Sequence, residues 1–260
     1  MAKSEQLETA SDQKKTSSRM AVRSSHHSLC GTGSSLTVQI ISDFVCPWCL
    51  VGAKNLQAAL SRFPGGADVP VSWAPFFLNP DQDSIPKGGV PIRQHLLDKY
   101  GSGFDFDAVH RRLDACAAPH GFSFTSDRRV VPSLPAHIVA DDLLQRFGPA
   151  VQNEVTVRLM MRYFADGADI SDPAVLFLAA GGSEQARYEG PEAIAALVAD
   201  PLRVSSVFSR ALQTRRLHSV SGVPFFVLTR HGSSSAVRTL SGGQPPEVFL
   251  QTFEELSTGV

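Results

Sequence analysis

The chain has 260 residues, of which 43% are hydrophobic, with four cysteines and a formal net charge of −1 at pH 7. This composition supports a substantial core, and the balanced charge excludes a general attraction to nucleic acid or anionic membranes. Four cysteines with one close pair do not make a disulfide framework, and no segment approaches the roughly 18 apolar residues of a membrane span, so we expect a soluble globular protein.

Residues 1–34 differ from the rest because they are rich in Ser, Lys, Gln and Thr. Too few apolar groups offset the entropy of ordering, so a disordered Ser-rich tail is predicted. His26-His27 with Cys30 could bind a metal there, but a solvated tail explains them as well, and no metal site is predicted. The tail lacks the apolar region of a secretory signal. We predict a cytoplasmic protein, with a mitochondrion or plastid reached through the tail as the alternative.

The folded part begins with strand periodicity. Apolar residues alternate with polar ones from Leu36 to Ile40, and the strand is expected to continue to Val45. A helix to about Phe63 and a second strand over residues 69–75 complete a β-α-β unit with parallel strands. The segment from Pro91 to about Ser183 shows the periodicity of short amphipathic helices.

The C-terminal part returns to strand after helices that begin at Pro191 and Pro201. Residues 223–228 and 237–240 flank a Gly- and Ser-rich turn, which predicts a hairpin, and a last helix begins after Pro245-Pro246. The order of elements is therefore β-α-β, a helical block, then β-β-α.

The motif Cys46-Pro47-Trp48-Cys49 stands where the first strand meets the first helix. Pro47 suits the first helical position, which places Cys46 at the N-cap. Unpaired backbone N–H groups and the helix dipole favour a thiolate there, so we expect the pKa of Cys46 to lie below the free-cysteine value of about 8.5. Cys49, one turn further on, would be the resolving thiol that attacks a mixed disulfide at Cys46.

Three other interpretations of the motif stay open. A zinc site normally needs four ligands, and the remaining cysteines, Cys30 and Cys116, are not paired in sequence. A structural disulfide would close a very short loop and stabilise little. Chance juxtaposition is the third. The strand–motif–helix context favours a redox site.

Several motifs in the same order, over about residues 36–257, resemble the DsbA-like thiol oxidoreductases of the FrnE type. These motifs are Ser42–Cys49 with Gly52, Pro75–Pro80, Ala136-His137, Tyr163–Gly167 leading to Asp169-Ile170, Gly222–Val227 and Ser241–Pro245. The resemblance implies an α/β class, with a thioredoxin-like β-α-β / β-β-α fold and an inserted α-helical domain. The implied domains are a discontinuous thioredoxin-like domain, 35–85 with 188–260, and an inserted helical domain, 86–187.

The resemblance also implies a cis peptide bond between Val223 and Pro224 beside the active disulfide. Gly222, Val223 and Pro224 would then bind substrate, because the loop leaves the Val223 backbone free to pair with an extended segment. From the residues alone, Gly222 and Pro224 could equally shape a turn into a strand. Cys46 and Cys49 would be the catalytic pair.

The function that the resemblance implies is that of a thiol-disulfide oxidoreductase or protein disulfide isomerase acting on thiol- or disulfide-containing proteins. No resident cofactor is expected, although glutathione could serve as reductant or co-substrate, and a homodimer is possible. One alternative is a glutathione-dependent isomerase or transferase, related to 2-hydroxychromene-2-carboxylate isomerase and kappa-class glutathione transferases. The other is a redox-independent chaperone.

Two departures limit the comparison. Pro132-Ser133 stands where members often have Asn-Thr, and the motif dipeptide Pro47-Trp48 has Trp where some DsbA-like proteins have His.

Asp43 could relay protons or form local hydrogen bonds. His137 is interpreted as a packed residue of its helix rather than a catalytic base.

Overall fold

The computed structural model describes residues 36–181, 188–232 and 235–258. The predicted disordered tail and its metal-binding alternative lie outside these ranges. The strands are β1 (Leu36–Ser42), β2 (Val71–Pro75), β3 (Val90–Pro91), β4 (Arg129–Val130), β5 (Phe225–Arg230) and β6 (Ala236–Ser241). The helices are α1 (Pro47–Arg62), α2 (Ile92–Tyr100), α3 (Phe106–Ala117), α4 (Leu134–Phe147), α5 (Pro149–Phe164), α6 (Pro173–Gly181), α7 (Pro191–Ala199), α8 (Pro201–Leu217) and α9 (Pro246–Thr258).

A four-stranded mixed sheet in the order β2-β1-β5-β6 lies at the centre of the fold. β1 and β2 run parallel with Ile40 opposite Trp73, whereas β1 and β5 are antiparallel with Ile40 opposite Phe226. β5 and β6 form an antiparallel hairpin in which Phe226 faces Leu240. The predicted α/β class, the β-α-β unit and the C-terminal hairpin are confirmed.

The alternation of apolar residues along the strands gives the sheet two buried faces. On one face, Ile40 and Phe226 belong to the main core with Leu56 of α1 and Phe249 of α9. On the other face, Ile41 belongs to a smaller cluster with Ala74 and Val227. α1 therefore packs on one face of the sheet. Its first turn, which carries the cysteine motif, lies at the C-terminal end of the central strand β1.

The edge strand β2 is covered by the helical segment that follows it in sequence. The buried side-chain amide of Gln152, on α5, accepts from the backbone N–H of Trp73 at 2.8 Å and donates to the Trp73 carbonyl oxygen at 3.0 Å. The indole N–H of Trp73 donates to Asn153 Oδ1 at 2.8 Å. At Trp73, α5 thus supplies the two backbone hydrogen bonds that a further strand would make.

Three expectations about strands were wrong. β5 covers Phe225–Arg230 rather than residues 223–228, because Val223 and the proline at 224 lie in the loop before the ladder, which begins with Phe225 opposite Ile41. β1 ends at Ser42 rather than at Val45, because Asp43 begins a turn whose hydrogen bonds remove residues 43–45 from the ladder. The second strand begins at Val71 rather than Val69, since residues 66–68 form a 3-10 turn that Val69 caps.

The helical segment also contains a strand pair that the sequence did not predict. β3 and β4 pair antiparallel, with Val90 opposite Val130. Strands of two residues are too short to show periodicity.

None of the helices in the described ranges combines the length and the apolar character needed to cross a membrane. The division into a thioredoxin-like and an inserted helical domain stays a prediction.

Candidate active site

The chain passes from β1 into α1 through a tight turn at residues 43–46. The backbone N–H of Cys46 donates to the Asp43 carbonyl oxygen at 3.1 Å, and the N–H of Cys49 donates to the Cys46 carbonyl oxygen at 3.0 Å. Pro47 occupies the first turn of α1, and Cys46 has the extended backbone of an N-cap residue, with φ −92° and ψ 111°. The predicted helix start is confirmed.

The Cys46 thiol lies against the loop that precedes β5. Its Sγ donates to the carbonyl oxygen of Val223 at 3.6 Å, and the peptide bond between Val223 and Pro224 is cis. The cis bond and its place beside the motif, which the resemblance implied, are confirmed. The expected contact between the sulfur and the backbone N–H groups of α1 was wrong, because the thiol makes no capping hydrogen bond and instead points across to Val223.

Cys49 lies behind Cys46 and is fully buried. Both are free thiols, so the structure describes the reduced dithiol. Burial raises the pKa of the Cys49 thiol well above its usual range, and Cys46 raises it further by hydrogen bonding and by charge. The backbone of Asp43 opposes this shift through a hydrogen bond. Cys49 is therefore held as a neutral thiol at neutral pH.

Asp43 is a fully buried carboxylate beneath the motif. It accepts from the backbone N–H of Leu78 at 2.7 Å and from that of Val45 at 3.4 Å. Nε2 of His137 lies 3.5 Å from Asp43 Oδ1. The local hydrogen bonds that were one of the two expectations for Asp43 are present, and proton relay stays a hypothesis.

His137 is 5% exposed and lies between two phenylalanine rings. Its ring centroid is 4.9 Å from that of Phe44 and 4.9 Å from that of Phe77, in both cases edge to face. The interpretation of His137 as a packed helix residue is confirmed. Its Nε2 has no hydrogen-bond partner within the described residues.

Trp48, the second residue of the motif dipeptide, is half-buried on the outer side of α1. The guanidinium carbon of Arg112, on α3, lies 5.3 Å from its ring centroid. This is a cation–π distance, and it joins the motif to the helical segment. One turn further on, α1 approaches the β5 loop at Gly52, where an added Cβ would lie 3.1 Å from Pro224 Cγ.

A cavity of about 780 Å³ opens beside the motif. Cys46, Pro47, Trp48 and Val223 form one wall of it. The other walls come from the helical segment, mainly from α2, α3 and the residues around β4. Of the remaining predicted site residues, Cys49 and Pro224 are buried behind this wall and Gly222 is half-buried, and none of these three lines the cavity.

Sequence reasoning missed the residues that close the far side of this cavity. Arg128 is the most consequential, because it is a charged side chain buried at the cavity wall. In sequence it stands beside Arg129 in a polar loop, and no local signal separates the two. The structure separates the two arginines, because Arg128 is buried whereas Arg129 is exposed. The guanidinium of Arg129 donates to the carbonyl oxygens of Gly88 and Gly89.

Comparison with known families agrees with this geometry. Residues 37–254 match the family described as "DSBA-like thioredoxin domain". The chain belongs to this family. Among curated proteins it is similar to the "Uncharacterized protein YwbO" of Bacillus subtilis (strain 168), with 28% identity over 99 residues, which is 35% of this chain. The match covers 48% of that protein, so the chain spans about half the length of this curated relative.

Solved structures show the same fold. A probable DsbA oxidoreductase from Streptomyces coelicolor has a TM-score of 0.69 and 28% identity, over 86% of this chain and 90% of that one. The cytosolic disulfide reductase DsbM from Pseudomonas aeruginosa has a TM-score of 0.53 and 19% identity, over 86% and 100%. A 2-hydroxychromene-2-carboxylate isomerase has a TM-score of 0.58 and 14% identity, over 86% and 97%. The last two support the fold alone.

Proposed function

We propose that the chain is a thiol-disulfide oxidoreductase in which Cys46 exchanges disulfides with a substrate and Cys49 resolves the mixed disulfide. The different positions of the two thiols carry the proposal. Cys46 is 5% exposed and lines the cavity, whereas Cys49, one turn further along α1, is fully buried and does not line it. Membership of the DsbA-like family supports the same chemistry.

In the reductive direction, the Cys46 thiolate attacks one sulfur of a substrate disulfide. The substrate S–S bond breaks, one substrate thiolate leaves, and a mixed disulfide forms on Cys46. Cys49 then loses its proton and attacks Cys46 Sγ, which forms the Cys46–Cys49 disulfide and releases the second substrate thiolate. The same steps in reverse oxidise a substrate dithiol.

The raised pKa of Cys49 supports this division of roles. A neutral thiol is a poor nucleophile, so Cys49 does not compete with Cys46 for the substrate disulfide. Its burial also keeps it out of reach of an incoming molecule. Once the mixed disulfide has formed, its position one turn from Cys46 lets it act on that sulfur.

The loop before β5 is proposed to position the substrate. The Val223 carbonyl oxygen accepts from the Cys46 thiol, and it loses this donor when Cys46 enters a mixed disulfide. It would then be free to accept from a backbone N–H of an extended substrate. Gly222 and Pro224 would hold this loop in place.

Protein thiols or disulfides are proposed as substrates, with glutathione as a reductant or co-substrate and a cytoplasmic location. DsbM, which shares the fold, is described as cytosolic and has also been solved with GSH. The homodimer stays a prediction.

Single cysteine variants test the proposal. Cys46→Ser should abolish dithiol-dependent reduction of disulfides, and Cys49→Ser should accumulate mixed disulfides on Cys46, detected by intact mass before and after dithiothreitol. Cys116→Ser, which removes a half-buried thiol on α3, is the matched control and should keep wild-type turnover. Unchanged turnover in Cys46→Ser or Cys49→Ser would exclude the two-thiol mechanism.

The cavity favours a second candidate function, a glutathione-dependent isomerase or transferase that uses one thiol. Its volume suits a small molecule, and a 2-hydroxychromene-2-carboxylate isomerase shares the fold. This function predicts that Cys49→Ser keeps full activity with glutathione, whereas the dithiol mechanism predicts its loss. If the chain is instead a redox-independent chaperone, it should suppress aggregation equally well after both cysteines are replaced. This alternative stays a prediction.

A further inference from the structure

The most unusual charged group outside the motif is Arg128, which is 4% exposed. Its Nη1 donates to the Thr125 carbonyl oxygen at 2.8 Å, while its Nε has no hydrogen-bond partner within the described residues. No carboxylate in the described part of the chain forms an ion pair with it. A buried cation without an acid costs free energy unless an anion binds to it.

The groups packed on Arg128 do not balance its charge. The guanidinium carbon lies 5.4 Å from the ring centroid of Phe164, and the ionisable side chain that acts on it is Tyr163. Burial raises the pKa of Tyr163, so its phenol is neutral at pH 7. Burial lowers the pKa of Arg128, and Tyr163 opposes this shift by charge and by a side-chain hydrogen bond.

Arg128 lines the same cavity as Cys46. At the exposed mouth, the charges of Asp98 and Lys99 offset each other. Burial and Lys99 lower the pKa of His95, which disfavours its protonated form. His110 also lines the cavity, and its Nε2 lies 3.5 Å from Asp114 Oδ2. Arg128 is the buried cation of the lining.

The rest of the lining suits an apolar body. The largest apolar contributions come from Ile92, Leu96, Phe104, Phe106, Leu113 and Val131. A volume of about 780 Å³ falls within the range of roughly 300–1,000 Å³ typical of small-molecule sites. The cavity therefore combines an apolar interior, one buried cation and one reactive sulfur.

We propose that this cavity binds a small organic disulfide whose apolar body carries a carboxylate, with the carboxylate on Arg128 and the disulfide at Cys46. The inference rests on the proposed dithiol function and names its substrate class. In one turnover the reduced protein gives two electrons to the disulfide, which leaves as two thiols, and the protein is left with the Cys46–Cys49 disulfide. A thiol reductant returns the protein to the dithiol form.

Two aromatic disulfides that differ in charge test the inference. Dithiobis(nitrobenzoate) carries a carboxylate on each ring, whereas dithiodipyridine is uncharged at neutral pH. Full-length protein is reduced, freed of reductant and mixed with each reagent in a stopped-flow spectrometer. The ratio of the two single-turnover rates, anionic over neutral, measures recognition of the carboxylate separately from the dithiol chemistry.

Arg128→Gln should lower this ratio at least about tenfold, because a buried charge pair is lost. Arg128→Lys, which keeps the charge, should restore most of it. Arg111→Gln removes an exposed charge from α3 outside the cavity and should leave the ratio within about twofold. An unchanged ratio in Arg128→Gln would overturn the inference, whether both rates are kept or both fall equally.

A measurement on the wild-type protein covers the case in which Arg128→Gln does not fold. Benzoate should slow the reaction of Cys46 with dithiodipyridine competitively, and benzamide, its uncharged counterpart, should not. Equal effects of the two would refute carboxylate binding. Failure of the dithiol function gives a different result, since the wild-type protein would then form no Cys46–Cys49 disulfide with either reagent.

Discussion

The carbonyl oxygen of Val223 lies 3.6 Å from the Cys46 sulfur, so the residue before the cis proline contacts the N-cap of α1. This contact needs α1 and the β5 loop to approach closely. Gly52, on α1, permits the approach, because a Cβ at this position would lie 2.9 Å from Cζ of Phe226 and 3.1 Å from Cγ of Pro224.

Gly52→Ala is therefore expected to destabilise the protein by about 1–3 kcal/mol, the usual cost of overpacking a core. It should also slow the reaction of Cys46 with a neutral disulfide, because α1 moves relative to Pro224. Urea unfolding and single-turnover rates measure the two effects. Gly103→Ala, at an exposed glycine with nothing within 4 Å of an added Cβ, is the control. Equal stability of the two variants would contradict the expectation.

Cys46 and Asp43 are expected to control the pKa of Cys49. Cys46→Ala should lower that pKa, because the hydrogen bond and the charge of Cys46 both raise it. Asp43→Asn should lower it less, since the Asp43 charge is the smallest of the contributions. In both variants the pKa of Cys49 should stay above that of a free cysteine, because burial contributes most. The cysteine Cβ chemical shifts as a function of pH measure this, and a rise in either variant would contradict it.

The same shift predicts how the stability of the reduced protein depends on pH. The folded state binds the Cys49 proton more tightly than the unfolded chain does, since its pKa is raised. The stability gained from this proton is complete below the pKa of a free cysteine and is lost as pH rises towards the folded-state pKa. Urea unfolding of the reduced protein should show this loss, and Cys46→Ala should show less of it.

Gln152 is expected to stabilise the edge of the sheet. Gln152→Leu would leave the backbone N–H and carbonyl of Trp73 buried without partners, which should cost about 2–4 kcal/mol. Gln251→Leu, on the exposed face of α9, should change the free energy of unfolding by no more than about 0.5 kcal/mol. Similar urea midpoints for the two variants would mean that α5 does not complete this edge.

Asp142, on α4, should anchor the C-terminal helices. Its buried carboxylate accepts from the Tyr188 hydroxyl at 2.8 Å and pairs with Arg146 at 3.1 Å and Arg203 at 3.3 Å. Asp142→Asn is expected to cost about 1–2 kcal/mol, a reduced figure because both arginines are partly exposed. Glu154→Gln removes an exposed ion pair on α5 and should cost less than about 0.5 kcal/mol by thermal unfolding. Equal losses would contradict the prediction.

Much of the fold could be predicted from the sequence because local signals determine it. Proline at the first turn marks where α1 and α8 begin, and α8 ends at Leu217 as expected. Alternating apolar residues identify β1, and the turn-flanked apolar runs identify β5 and β6. The end of β1, the start of β2 and both ends of β5 were missed by two or three residues, because hydrogen bonds in the flanking turns and loops set them.

The sequence by itself determined the order of the elements of the central sheet and the start of α1 at the cysteine motif, since each is encoded by residues close together along the chain. It also indicated the family, through several short motifs that follow one another in order. Only the tertiary structure decided that the Cys46 thiol points to Val223 and that Cys49 lies behind it, fully buried. It also decided that Arg128 is buried at the cavity wall while Arg129 is exposed. The physical reason is that burial and the pairing of charges depend on segments far apart in sequence, here β3 with β4 and α1 with the loop before β5.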